Sequence, residues 1–211
     1  MSIIRRQSMA VIAALFLASQ TAAAQTYHYP LHSEAIRDAY FLGERNNFQT
    51  TDCLLQYIHR FTGPQTGRYY ISQFEISTPY QQIVLRGQRD TPGDSALQAE
   101  TDLREHPLKL IARVQVEWNS GYAGHTSNRV FPPNLSRAVP IHVSQQQEIT
   151  PLKTSYHEIY SNSGDGGSTF LGWSFELQFD PAKITSAPLR VSVKTPDGQV
   201  QETEFDMAKI Q

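Results

Sequence analysis

The spacing of apolar residues changes period near Gly67, and this change divides the chain. Before it, the period is helical. Ala35, Ile36, Ala39, Tyr40 and Leu42 recur along Glu34 to Asn46, opposite Arg37, Asp38, Glu44 and Arg45. That pattern predicts a helix over 34–46, with Ser33 as its N-cap and Gly43 weakening its last turn. From Thr51, the residues Leu54, Tyr57, Ile58 and Phe61 stand at i, i+3, i+4 and i+7, which predicts a second helix ended by Gly63-Pro64. Each would have about three turns. Helices of that length are marginal alone, so the pair must either dock on the remainder of the chain or wrap a partner.

After Gly67 the period falls to two. Arg68 to Ile76 and Gln81 to Arg86 are rich in strand-forming residues on either side of Thr78-Pro79. Asp94 is positioned to cap a short helix over 95–105, with Ala96, Ala99 and Leu103 as its apolar side. The alternation is strict in Lys109 to Trp118, where Leu110, Ala112, Val114, Val116 and Trp118 point one way. It is equally clear in Phe170 to Phe179, through Leu171, Trp173, Phe175, Leu177 and Phe179. Such strands have one buried and one wet face, the mark of antiparallel sheet. Further strands are expected near 138–145 and 150–160. Asp180-Pro181-Ala182-Lys183 reads as a tight corner. It leads into a hairpin of 188–194 and 199–205 turning on Thr195-Pro196-Asp197-Gly198. This series predicts a mainly β fold: an antiparallel β-sandwich of immunoglobulin-like architecture over 67–211, preceded by a short N-terminal helical segment over 25–66.

The first residues carry an address rather than a fold. Arg5 and Arg6 precede an uncharged apolar run from Met9 to Ala18, and Ala22 and Ala24 give a small-x-small cleavage pattern. Residues 1–24 are therefore read as a signal peptide cut after Ala24, which sends the protein to the periplasm or outside the cell. The run has half the length needed to span a bilayer, about 20 residues, so no transmembrane segment is expected after cleavage. The leader holds two of the 18 bases and none of the 20 acids, which leaves 16 against 20 and a net charge of −4. A mildly acidic domain has no pull toward phosphate backbones, so nucleic acid is excluded as a partner. Cys53 is the only cysteine, which excludes an intramolecular disulfide; its setting in Thr51-Asp52-Cys53-Leu54-Leu55 suggests a buried, inert thiol.

The chain contains no G-x-S-x-G, no phosphate-cradling glycine loop, no H-E-x-x-H and no cysteine pair. No metal and no cofactor are expected. Pro30 separates His28 from His32, which spoils that pair as a ligand set. The loop Asn162 to Ser168 is rich in oxygen but holds one carboxylate, Asp165, too few for calcium. If loops converge at one end of a sandwich, His125, His157 and Glu158 are the candidate acid–base groups, with Tyr122 and Asp165 as candidate ligand-binding residues. Trp118 and Trp173 lie on the apolar phase of their strands and read as core. Asn134-Leu135-Ser136 matches a glycosylation acceptor, relevant only in a eukaryotic secretory route.

Three functions fit these residues. The first is a non-enzymatic binding or assembly module of the periplasm or cell envelope with an envelope protein as partner. It rests on the leader, the strand pattern and the missing catalytic motifs. The second is a secreted hydrolase using His125, His157 and Glu158. The third is a carbohydrate-binding module, for which Tyr69, Tyr70, Tyr80 and Tyr122 supply candidate stacking faces.

Overall fold

The computed structural model describes residues 27–62, 67–89, 91–119, 139–162 and 168–210. It contains two antiparallel sheets and a few helices. The order is α1 (Ser33–Arg45), α2 (Phe48–Leu55), β1 (Ile58–Arg60), β2 (Tyr69–Ser77), α3 (Pro79–Gln88), α4 (Ala96–Glu105), β3 (Leu110–Trp118), β4 (Ile141–Ser144), β5 (Lys153–Asn162), β6 (Ser168–Phe179), β7 (Leu189–Lys194) and β8 (Val200–Phe205), with a 3₁₀ turn at Pro181–Lys183 between β6 and β7. The larger sheet has five strands in the order β1-β2-β3-β6-β5, and the smaller has three in the order β4-β7-β8.

β3, whose alternation is strict, is the central strand of the larger sheet, and β6 pairs along one side of it. Val114 lies opposite Phe175, and Ala112 opposite Leu177. Their apolar face joins Ile71, Phe74 and Ile76 of β2 and, from the smaller sheet, Val143, Leu189, Val191, Val193 and Phe205 in one buried cluster. In β2 the buried positions run Tyr69, Ile71, then Phe74, Ile76. A register shift between Ile71 and Gln73 inserts one residue and changes the phase. The β7–β8 hairpin turns as its sequence requires: Gly198 takes φ +87° and donates its N–H to the Thr195 carbonyl at 2.9 Å.

Three local expectations are corrected. Residues 81–86 are helical, not extended. Thr78 caps α3 by accepting from the Gln81 N–H at 3.2 Å, and Pro79 occupies the first turn. The buried residues Tyr80, Ile83, Val84 and Gly87 then follow a helical stripe. The second helix is shorter than its apolar spacing suggests. Asn47 caps α2 in a reciprocal box with Thr50, the helix ends at Leu55, and Ile58–Arg60 pair with Gln73–Glu75 of β2. That long-range pairing, invisible to local period, overrides the helical spacing of Tyr57, Ile58 and Phe61. In β6 the register shift opposite Ile159/Tyr160 leaves Leu171 exposed, and Phe170 instead packs on Trp173 at 4.7 Å between ring centres.

Two expected caps also move. His32, not Ser33, is the N-cap position of α1, and Ser95, not Asp94, caps α4 by accepting from the Gln98 N–H. Both displaced side chains are engaged elsewhere. Ser33 Oγ donates to Glu100 at 2.6 Å, and Asp94 holds Arg86.

The helices α1, α3 and α4 share a second buried cluster, with Ile36, Ala39, Tyr40, Ile83, Val84 and Ala99. Of the two outcomes open to the N-terminal helices, α1 docks within the chain. It meets α3 glycine against backbone: a Cβ on Gly43 would lie 2.0 Å from the Val84 carbonyl oxygen, and one on Gly87 would lie 2.2 Å from that of Tyr40. The N-terminal segment is also tied to the larger core, where Tyr27 donates its N–H to the Met207 carbonyl and its hydroxyl to that of Pro181. Where α4 faces α1, the buried Glu100 carboxylate accepts from Ser33 and pairs with Arg37 and Arg104. The Ser33 hydrogen bond and the charges of Arg104 and Arg37 hold its pKa below the ordinary value of 4.5.

Gly43→Ala and Gly87→Ala should each destabilise the fold by about 2–3 kcal/mol or more in urea unfolding, since the added methyl meets backbone that cannot yield. The sign discriminates, because the same change at an open helix position would stabilise by roughly 0.5–1 kcal/mol. For Glu100, the folded carboxyl gives up its proton more readily than the unfolded one. Its contribution is therefore complete above pH 4.5 and is lost as pH falls through the lower folded-state value. The urea midpoints of wild type and Glu100→Gln should differ at pH 7 and converge in acid.

Candidate functional site

β5 is the outermost strand of the five-stranded sheet. It bonds to β6 along one side, and among the described residues no strand pairs with its other side. Along this ten-residue strand the backbone N–H and C=O groups of alternate residues thus face outward, open to another strand.

Successive side chains on a strand point to opposite faces, and the pairing with β6 sorts those of β5. Thr154, Tyr156, Glu158 and Tyr160 stand beside Leu177, Phe175, Trp173 and Phe170, on the face that carries the apolar cluster. Lys153, Ser155, His157 and Ile159 stand beside Gln178, Glu176, Ser174 and Gly172, on the polar face.

On the first face the edge is aromatic and uncovered. Tyr156 is 44% exposed, Tyr160 50% and the neighbouring Leu152 57%. Rings continue inward from there. Tyr160 meets Phe170 at 5.6 Å, Phe170 meets Trp173 at 4.7 Å, and Trp173 meets Tyr69 at 6.3 Å. Tyr69 then meets Trp118, on which the Arg68 guanidinium stacks at 4.7 Å. Tyr156 meets Phe175 at 6.1 Å, so both exposed phenols lean on rings of β6, in the tilted and edge contacts that aromatic pairs favour. The Tyr160 hydroxyl donates to Glu158, and that hydrogen bond raises its pKa.

On the second face, Arg113 stands between Glu75 at 2.9 Å and Glu176 at 3.3 Å. A hydrogen bond from Gln178, then the Arg113 charge, keeps the Glu176 carboxyl below its usual range, with His157 adding to the effect. Tyr70 donates to Glu117 on the same sheet.

The structure therefore places His157 and Glu158 side by side in sequence but on opposite faces of an edge strand, rather than together in a loop. The other three residues singled out from the sequence, Tyr122, His125 and Asp165, lie outside the described residues. Of the tyrosines considered as sugar platforms, Tyr69 and Tyr80 are buried, and Tyr70 is half-buried with its hydroxyl engaged. Trp173 is core, as its strand phase predicts, and Trp118 is half-buried at the rim. Cys53 is half-buried, touching both clusters, and burial pushes its thiol pKa up, away from reactive thiolate. No group of three or more metal-ligating side chains occurs among the described residues. No helix among them is long and apolar enough to cross a membrane.

Sequence reasoning missed Tyr156, Tyr160 and Leu152. One signal for them was present: Glu158 interrupts the aromatic phase of the strand, and a charge there marks a sheet edge rather than a centre. No family model matches the chain, no curated protein matches it, and no solved structure matches it.

His157 and Glu158 are both exposed, and Glu158 accepts from the exposed Tyr160. The double variant His157→Ala/Glu158→Gln should stay within roughly 0.5–1 kcal/mol of wild type in urea unfolding, the range of ordinary surface changes.

Proposed function

We propose that the protein is an exported, non-enzymatic binding or assembly module of the periplasm or cell envelope, with its two sheets arranged as an immunoglobulin-like sandwich. On this reading residues 1–24 are the export signal and are removed. The observation that carries the reading is the open edge of β5 beside two exposed tyrosines. A free edge accepts a partner's extended segment through backbone hydrogen bonds, and side-chain contacts at alternate positions supply the choice of partner. Here those contacts are Tyr156, Glu158 and Tyr160 in series. The partner segment would carry a basic residue opposite Glu158, flanked by apolar residues against the rings. Glu158 also discourages indiscriminate edge pairing, since an uncompensated carboxylate would have to be covered.

The test is site-specific photo-crosslinking in the cells that make the protein. A photoreactive residue at Tyr156 should trap one envelope protein, and one at the exposed Arg190 of β7 should not. Glu158→Lys should abolish the Tyr156 product. Equal trapping at both positions, or none at Tyr156, would overturn the reading. Mature protein beginning at Gln25 is the expected N-terminal sequence, and a retained leader would remove the export part of the proposal.

A further inference from the structure

Away from the β5 edge, α3 and α4 stand against the polar side of the five-stranded sheet and leave a cleft of about 560 Å³. That volume falls within the usual range for small-molecule sites, about 300–1,000 Å³. Ile83 and Leu85 from α3, Leu103 from α4, Leu108 from the α4–β3 link and Ile111 from β3 give it an apolar lining. Its charged lining is three arginines, Arg86, Arg89 and Arg113, against two aspartates, Asp94 and Asp102.

The pairing of the charged residues narrows what the cleft favours. Both aspartates are already engaged by Arg86. Nε reaches Asp94 at 2.7 Å, and Nη2 reaches Asp94 again and Asp102 at 2.7 Å. Asp102 also accepts from Gln98 at 2.6 Å. Arg113 is held from behind by Glu75 through Nη1 and by Glu176 through Nε, and neither glutamate lines the cleft. These pairings fix two guanidinium groups in place and leave Nη1 of Arg86 and Nη2 of Arg113 with no partner among the described residues. Arg89, at the end of α3, forms no ion pair among them. A guanidinium has five N–H donors and no acceptor. The unfilled capacity of the arginines is therefore donors only, beside an apolar wall.

We propose that this cleft binds a small amphipathic carboxylate: the anionic head accepts from the spare N–H groups of Arg86, Arg89 and Arg113, and the aliphatic body lies on Leu103, Leu108 and Ile111. Prior fixing of Arg86 and Arg113 by carboxylates lowers the ordering cost of binding, as a preorganised site should. The site is separate from the β5 edge and stands whether or not that edge engages a partner.

Calorimetry on the purified protein tests it, with octanoate as probe. Octanoate should give a saturable one-to-one heat at millimolar or lower concentration. Acetate, which has the head without the body, should bind at least about tenfold more weakly, and octylammonium, which reverses the charge, should not bind. Arg89→Glu should weaken octanoate at least about tenfold while shifting the unfolding midpoint only slightly, because Arg89 caps α3 through its backbone N–H and its side chain forms no ion pair among the described residues. Amide shifts on octanoate addition should cluster on α3, α4 and β3. No saturable heat, equal binding of octylammonium, or unchanged binding by Arg89→Glu would each overturn the proposal.

Discussion

The helical side of this protein rests on one close approach. At Gly43 and Gly87 the backbones of α1 and α3 touch where any side chain would collide with a carbonyl oxygen. Packed interiors yield little to such intrusions. The contact therefore sets how deeply α1 sits, and α1 in turn brings Ser33 and Arg37 to the Glu100 carboxylate of α4. With α1 seated against α3 and α4, the second cluster is closed, and α3 presents Arg86 and Arg89 along one wall of the cleft.

The larger sheet serves two environments at once. Its apolar face is shared with the smaller sheet, where burial of Val114, Phe175, Val191 and their neighbours supplies the main hydrophobic stabilisation. Its other face is polar, and at Ser77, Ile111 and Arg113 it forms one side of the cleft. A two-faced antiparallel sheet can do this because alternate residues belong to different surroundings. The same geometry separates His157 from Glu158, which puts one beside the Arg113–Glu176 pair and the other beside the exposed tyrosines.

Charge is used locally rather than as a field. Arg86 and Arg113 each lie between two carboxylates, and Glu100 between two arginines. Asp94, Asp102, Glu100 and Glu176 are all held below their usual carboxyl range, mostly by hydrogen bonds from those neighbours and from Ser33 and Gln178. The arrangement positions guanidinium groups while keeping the net charge of the whole chain near zero.

Much of the β architecture was legible from period alone. β3, β6 and the β7–β8 hairpin follow directly from alternating residues and a Pro-Asp-Gly turn, because a half-buried strand and a tight turn are local constraints. The helix α1 was equally clear, although Gly43 counted against it in sequence and proves to be its packing contact. Only the tertiary structure decided the rest. The spacing of Tyr57, Ile58 and Phe61 suits a helix, but pairing with β2 makes Ile58–Arg60 a strand; the run Gln81 to Arg86 suits a strand, but the Thr78-Pro79 start and the buried side make it a helix. Neither candidate site could be read in advance. The β5 edge exists because β5 is last in its sheet, and the cleft because the consecutive elements β2, α3, α4 and β3 fold around it. Strand order and layer contact depend on which surfaces are buried together, and that is settled by the whole chain at once rather than by any one segment of it.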